Sequence, residues 1–204
     1  MAQAQATHNT ITLKGSTKIV TEFFAYAVNS ILYQRGIYPP DNFEQRKQYG
    51  LSIMVSTDTG LTDYLSTVLE QMSGWLVRGE LQKMVLVITS SETKETLERW
   101  TFDLQTDKSI LNGGSAPEKS DKEITSEIQA IIRQITASVT FLPLLNDACT
   151  FDLLVYTDAA SDVPTEWEDS DPRFIQNAAD VKLRSFTTKV HKVDALVSYR
   201  ADDD

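Results

Sequence analysis

Apolar residues recur at helical spacing in three stretches of the chain, within 15–36, 61–79 and 120–142. Apolar side chains at i, i+3, i+4 and i+7 fall on one face of an α-helix, so each stretch predicts an amphipathic helix. The third stretch opens with a capping box, because Ser120 can cap the first helical turn while Glu123 reaches back to it. Its end is predicted at position 142, since the proline that follows disfavours helical geometry in the residue before it.

Short runs rich in β-branched and aromatic residues predict strands between and after these helices. The predicted strands are 51–57, 81–89, 97–104, 149–157, 181–188 and 190–200. The second and third of these strands are predicted to pair as an antiparallel hairpin. Residues 43–49 are predicted to form a polar connector, and residues 11–13 a short extended piece. Three helices packed on one side of a largely antiparallel sheet make this an α+β chain.

Four segments carry no regular pattern. Residues 1–10 are expected to form a flexible N-terminal arm, 105–119 a long mobile loop, and 201–204 an acidic tail. Residues 158–172 hold six acids, two prolines and no basic residue, which predicts an irregular arm. The elements within 11–200 amount to one core, so a single domain is expected.

The polar face of the third predicted helix is poor in charge. From Ile128 to Asn146 the only charged residue is Arg133, and small side chains surround it. Small residues around one long bidentate donor suit a docking surface. A central helix buried on both sides by its own domain would show the same pattern, and the sequence leaves both interpretations open.

Composition limits the classes of partner. The chain has 204 residues, a formal net charge of −10 and a pI of about 4.7, which disfavours nucleic acid or an anionic membrane as the main partner. No run has the length of a membrane span, and no signal peptide is recognisable. Cys149 is the sole cysteine, so no internal disulfide is expected, which fits the cytosol or nucleus.

Motifs for enzyme chemistry are missing. Neither a dinucleotide fingerprint nor a phosphate loop occurs, and the acids of 158–172 lack calcium-loop spacing. A nucleophile pair of Cys149 and His191 stays open on spacing alone, beside the plainer interpretation of a structural cysteine and a surface histidine. The remaining class is a binding protein, in which an extended peptide could add to a sheet edge that the last strands vacate.

Several long motifs resemble the HORMA-domain family of spindle-assembly-checkpoint proteins. The motifs are NSILYQRGIYP at 29–39, LERW at 97–100, IIRQITA at 131–137, VTFLPLL at 139–145 and LRSFTT at 183–188. The resemblance covers roughly 11–200. It implies the HORMA fold, with a core of 11–157 and a mobile C-terminal "safety belt" of 158–200, called the belt below.

The resemblance also implies a mechanism without catalysis or cofactor. In an open state the belt covers one edge of the sheet, and in a closed state it moves to the other side and encircles a peptide. The peptide would pair with the strand residues Phe151, Asp152, Leu153, Leu154, Val155 and Tyr156. Its sources would be a coiled-coil kinetochore receptor and the activator of the anaphase-promoting ubiquitin ligase, whose inhibition delays anaphase.

Further partners follow from the same resemblance. Closed protein would recruit open protein, a HORMA-like regulator would cap that surface to silence the signal, and an AAA+ ATPase would reopen the closed form. The self-association residues would be Arg133, Gln134, Thr140, Phe141 and Arg184. Leu13 and Val193 would pack differently in the two states. Among the other belt and switch residues, Trp167 would anchor the belt, and Trp75 would belong to the core with a secondary role in the switch. The expected locations are the nucleus, kinetochore, nuclear envelope and cytoplasm. Static oligomeric scaffolds and HORMA adaptors of DNA repair or meiosis remain the alternatives.

Overall fold

The computed structural model describes residues 11–201. The helices are α1 Leu13–Gln34, α2 Thr59–Val77, the one-turn α3 Lys108–Leu111, and α4 Asp121–Ala137. The strands are β1 Phe43–Gln48, β2 Leu51–Ser56, β3 Leu81–Ser90, β4 Thr96–Thr106, β5 Cys149–Thr157, β6 Ala178–Thr187 and β7 His191–Arg200. Within 11–201, no helix combines the length and apolarity that crossing a membrane would need. The predicted arm 1–10 and most of the predicted tail 201–204 lie outside the described residues.

Five strands form one sheet in the order β5-β3-β4-β7-β6, and every neighbouring pair is antiparallel. β1 and β2 pair separately as a hairpin beside α1. The last two strands therefore continue the sheet beyond β4, and β5 ends the sheet on the opposite side. This placement of β6 and β7 decides which edge of the sheet stays open.

The helices cover one face of the sheet. Along β3, Met84, Leu86 and Ile88 belong to the apolar core shared with the helices, whereas Val85 and Val87 point to the other face. The face with Val85 and Val87 is called the outer face below. The core centres on aromatic rings in edge contact, those of Phe23, Phe24, Phe102 and Phe186. The predicted α+β architecture is confirmed, with the one-turn α3 as a fourth helix.

Side-chain caps fix where the helices begin. Thr12 Oγ1 accepts from the Gly15 amide at 3.0 Å, and Asp58 Oδ1 accepts from the Leu61 amide at 2.8 Å. The Ser120 capping box is present with both of its reciprocal bonds. Because Thr12 caps α1, the helix starts at Leu13. Of the predicted extended piece 11–13, Ile11 packs in the core and Thr12 is extended, whereas Leu13 is helical.

Two further regions, 43–48 and the end of α4, differ from the sequence prediction. Residues 43–48 form strand β1 rather than a connector, because Tyr49 and Gly50 take positive φ (53° and 68°) in a tight hairpin turn. Helix α4 ends at Ala137, ahead of the predicted end, and a 3₁₀ turn covers 138–140. There the buried Ser138 hydroxyl donates to the Ile135 carbonyl at 2.6 Å, which closes the helix.

The predicted mobile loop 105–119 also contains fixed positions. It includes the rest of β4 and helix α3, which Asp107 caps through the Ser109 amide at 2.9 Å. Ala116 and Lys119 are buried at 9% exposure each. The loop therefore packs on the body at several points, which its polar composition did not indicate.

Candidate functional site

Strand β5 has one open edge. It pairs with β3 along its whole length, from Leu81 opposite Thr157 to Ser90 opposite Cys149. No strand among residues 11–201 pairs with its other side. Backbone amides and carbonyls on an open edge can accept another extended chain. All six residues predicted to pair with a peptide lie on this strand.

The first half of the belt starts beside this edge and is anchored on α2. The Asp158 amide donates to the Glu80 carbonyl at 3.0 Å, directly after β5. Trp75, which is 1% exposed, donates its indole N–H to the Asp162 carbonyl at 3.1 Å. The ring of Trp167 meets the Trp75 ring edge-on, with centroids 5.1 Å apart. The two tryptophans assigned to the belt and switch are therefore in contact, and they fix the belt next to the open edge.

The belt then crosses the outer face of the sheet. One row of that face runs across four strands, from Asp152 through Val87 and Arg99 to Ser198. The guanidinium of Arg173 lies 3.9 Å from the Asp152 carboxylate. The next residue, Phe174, places its ring 4.7 Å from the guanidinium of Arg99, and β6 begins shortly after. The belt thus passes around the open edge and over the sheet to reach the far side.

A cavity of about 260 Å³ separates the β5 edge from the belt. The strand contributes 153–157 to its wall, and the belt contributes Val163, Trp167 and the acidic stretch 168–171. One wall therefore offers a backbone edge and apolar side chains, and the other carries carboxylates. An extended peptide with a basic residue near apolar ones matches this lining.

Aromatic side chains line the start of the same edge. The Phe151 ring contacts Tyr38 and Tyr64, with centroids 6.2 and 6.0 Å apart. Burial raises the pKa of the Tyr64 phenol, and the nearby Asp152 carboxylate raises it further. Both tyrosines thus keep their protons at neutral pH and present neutral, apolar ring surface beside the edge. Neither was predicted from the sequence as a site residue, and only their long-range contacts reveal them.

The second half of the belt is part of the core. Val193 is fully buried on β7, between Leu104 of β4 and Phe186 of β6. Leu13, half-buried at the start of α1, packs against the same core. Both residues predicted to repack in a switch therefore help to hold the arrangement seen here. The sequence assigned them only through the family resemblance.

Polar groups also join this half of the belt to α1. Ser16 and Thr188 share a hydrogen bond between their hydroxyls at 2.5 Å, and Ser16 Oγ lies 2.7 Å from His191 Nδ1. All three side chains are almost fully buried. Burial lowers the pKa of His191 to about 4, while the backbone of Leu76 acts in the opposite direction. His191 is neutral at physiological pH and belongs to a buried network rather than to the surface.

The predicted self-association residues lie on α4, on or next to the 3₁₀ turn that follows it, and on β6. Arg133, Thr140 and Arg184 are exposed, and Phe141 is exposed by 38% despite its apolar ring. Gln134 Oε1 accepts a hydrogen bond from the Arg184 amide at 2.6 Å, which joins α4 to the belt. The opposite side of α4, from Ile124 to Ile135, is buried in the core. The helix thus has one buried side only, and its charge-poor side faces solvent.

The candidate nucleophile pair is not assembled. Cys149 pairs with Ser90 near the β3–β4 turn, whereas His191 pairs with Thr106 at the other end of β4. The length of β4 separates them by roughly 30 Å. Burial raises the pKa of the Cys149 thiol, which disfavours its reactive form. Within 11–201 no cluster of His, Cys, Asp and Glu is arranged to hold a metal ion.

Comparison with known proteins agrees with this geometry. The HORMA domain family model matches residues 16–191. The mitotic spindle assembly checkpoint protein MAD2A of Dictyostelium discoideum is 60% identical over 205 residues, covering all of both chains. A chain in the crystal structure of a mitotic checkpoint complex is 47% identical with a TM-score of 0.85, covering 92% of this chain and 99% of that one.

A more distant match concerns the fold alone. HTP-2 of C. elegans, solved bound to a HIM-3 closure motif, is 14% identical with a TM-score of 0.74 and covers 98% of this chain and 99% of its own. The extent and identity of the nearer matches go well beyond a shared fold. This chain belongs to the HORMA-domain family, among the mitotic spindle checkpoint proteins.

Proposed function

We propose that this chain is a spindle assembly checkpoint adaptor that captures an extended peptide at the open edge of β5 and encloses it with the belt. The observation that carries the proposal is the path of the belt, which starts at the end of β5, passes around its open edge and rejoins the sheet beyond β4. A strand added to β5 would be enclosed on three sides. The 60% identity to a checkpoint protein supports the cellular role.

The proposal includes a second arrangement of the belt. Of the belt strands, β7 pairs with β4 and β6 pairs with β7, which is the side of the sheet expected from the resemblance for the closed state. In the open state, the same segment would occupy the β5 edge and exclude the peptide. A ligand shifts such an equilibrium only through its different affinities for the two states, and a change from about 1:99 to 99:1 requires roughly 5.5 kcal/mol. Backbone pairing along β5 together with apolar anchors is the expected source.

The proposed ligands are short segments of a coiled-coil kinetochore receptor and of the activator of the anaphase-promoting complex. Peptides bound to distant HORMA relatives support this mode of binding, since the HTP-2 structure contains a closure motif. The acidic belt wall at 168–171 favours a basic residue beside the apolar ones. The adaptor role needs no catalysis, and it would be exercised in the nucleus and at kinetochores. The open–closed dimer, the HORMA-like regulator and the AAA+ ATPase are proposed as further partners on the same grounds.

Hydrogen exchange on the full chain tests the proposal. Synthetic peptides that tile the receptor and the activator are added, with scrambled peptides of equal charge as controls. Binding should slow amide exchange at 151–156 and across 158–177, because the edge amides gain partners and the belt closes over them. Peptides that bind without protecting β5 would refute edge pairing. Exchange in the belt that is equal with and without a bound peptide would refute enclosure.

A further inference from the structure

The outer edge of β6 is the second open edge of the sheet, and helix α4 lies along it. β6 pairs with β7 on one side only, so its other backbone groups have no strand partner among the described residues. Unpaired groups on a covered edge need other partners, because burying them without a hydrogen bond costs free energy. Three side chains on or before α4 provide these partners.

The contacts are specific to the backbone of the belt. Gln134 Oε1 accepts from the Arg184 amide at 2.6 Å, and Glu127 Oε2 accepts from the Thr187 amide at 3.0 Å. Lys119 Nζ donates to the Thr187 carbonyl at 2.8 Å and to Glu127 Oε1 at 2.7 Å. The Lys119 side chain is only 8% exposed, so these two acceptors must replace the water that would otherwise stabilise its positive charge. Helix α4 thus contacts β6 much as a neighbouring strand would.

The spacing of these bonds matches on the two sides. Glu127 and Gln134 are two helical turns apart, which is about 10.5 Å along the helix axis. Arg184 and Thr187 are three residues apart in a strand, which is about 10 Å. In a regular strand, amides three residues apart point to opposite edges, but a bulge between Lys182 and Ser185 adds one residue to β6, and both amides reach α4. The two spacings match in only one register of β6 against α4, because a shift of β6 by one residue would turn each amide away from its acceptor.

We propose that Lys119, Glu127 and Gln134 form an edge cradle, a set of side chains that hydrogen-bonds the backbone of β6 in one register only. The cradle thereby stabilises the belt selectively on the β4 side of the sheet. The inference rests on the proposed function, because selectivity has meaning only if the belt has a second position. In that second position β6 no longer lies along α4, and the three hydrogen bonds to its backbone are lost. The three side chains are positioning residues for the belt and do not contact the captured peptide.

The cradle gives Gln134 a role separate from that of its neighbour. Arg133 is exposed and makes no hydrogen bond or ion pair with residues 11–201, whereas Gln134 bonds the belt of its own chain. Substitutions of the two residues should therefore differ even when both weaken self-association. Gln134→Ala should shift the belt equilibrium, and Arg133→Ala should not.

The experiment measures the ratio of the two conformers of the full chain, separated by ion exchange. Gln134→Ala should lower the share with the belt on β4 about fivefold, as expected for one neutral hydrogen bond. Glu127→Ala should lower it by at least about tenfold, because Lys119 also loses its partner. Gln134→Glu keeps an acceptor and should restore the ratio, and Ser126→Ala, an exposed neighbour on α4, should leave it unchanged. Amide exchange at positions 184 and 187 should accelerate in the two alanine variants.

The possible outcomes distinguish the cradle from the switch between two belt positions. A purely structural role would lower thermal stability while the conformer ratio stays constant, and that result would overturn the cradle and leave the switch intact. A wild-type chain that gives a single conformer with and without receptor peptides would overturn the switch and the cradle together. A shift in the alanine variants with rescue by Gln134→Glu would establish the cradle.

Discussion

At the residue scale, a buried ion pair joins three parts of the chain. Arg35, at the end of α1, contacts Glu98 of β4 through Nη2 at 2.5 Å and through Nε at 2.9 and 3.1 Å. Arg35 also donates to the Pro143 carbonyl at 2.6 Å, and the Trp100 indole donates to Glu98 at 3.2 Å. Both side chains are under 5% exposed. The bidentate geometry and the extra donors compensate for the removal of both charges from water.

Replacing one partner of this pair should therefore be costly. Arg35→Met leaves the Glu98 carboxylate buried without its main partner, and we expect a loss of about 3–5 kcal/mol in the free energy of unfolding. Denaturant unfolding measures the loss. The double variant Arg35→Met, Glu98→Gln is the control and should recover part of it, because no unpaired charge remains buried. A loss below about 1 kcal/mol in the single variant would contradict the burial of the pair.

His191 should make stability depend on pH. Its pKa falls from 6.5 to about 4 on folding, so the unfolded chain binds a proton that the folded chain rejects. Stability is then complete above pH 6.5 and declines as the pH falls towards 4, by up to about 1.4 kcal/mol per unit. Thermal unfolding between pH 7.5 and 5.5 measures the slope, and His191→Gln should flatten it. Equal slopes in both proteins would show that another group is responsible.

At the element scale, the end of α2 depends on a glycine. Gly79 takes a φ of 68° after the helix, and a Cβ at this position would collide with the side chain of Leu111 on α3. Gly36 takes nearly the same φ of 65° after α1, but nothing lies within 4 Å of its Cβ position. The two glycines therefore need the same backbone conformation and differ in their surroundings.

Alanine substitution should separate these two effects. Gly36→Ala should cost about 1 kcal/mol for the left-handed backbone alone. Gly79→Ala should cost up to about 1 kcal/mol more, because the end of the Leu111 side chain must rotate away from the added methyl group. Chemical denaturation of both variants gives the difference. Equal losses of unfolding free energy in the two variants would mean that Leu111 moves away from the added methyl group without cost.

The helices and central strands could be predicted because their apolar periodicity extends over many residues. β1 could not, since its residues are mostly exposed and polar and only the turn at Tyr49-Gly50 forms the hairpin. The early end of α4 depends on the buried Ser138, which the sequence does not mark as buried. In the site, Tyr38, Tyr64 and Phe174 act through contacts that span long stretches of sequence. The belt and self-association residues came from the family resemblance, and their roles stay predictions, as do the domain limits 11–200 and 158–200.

At the scale of the whole molecule, the belt crossing should control how long a peptide stays bound. The Phe174 ring is 75% exposed and contacts the Arg99 guanidinium on the outer face. Phe174→Ala should raise the dissociation rate of a receptor peptide about two- to fivefold, the range expected for one partly exposed cation–π contact. Fluorescence anisotropy with unlabelled competitor measures this rate.

The matched control for that prediction is Leu144→Ala. Leu144 is also apolar and 83% exposed, but it lies on the loop between α4 and β5, away from the crossing. Its replacement should leave the dissociation rate unchanged. An unchanged rate in Phe174→Ala as well would show that the crossing does not limit release.

The path of the belt around the β5 edge also decides which guests can be admitted. A stretch in the middle of a long, folded protein cannot be threaded end-first through a closed loop, so the loop must come apart before such a guest enters. The rate of capture should then reach a plateau at high guest concentration, and this plateau equals the rate at which the loop opens. Any factor that speeds unfastening would accelerate loading and unloading alike.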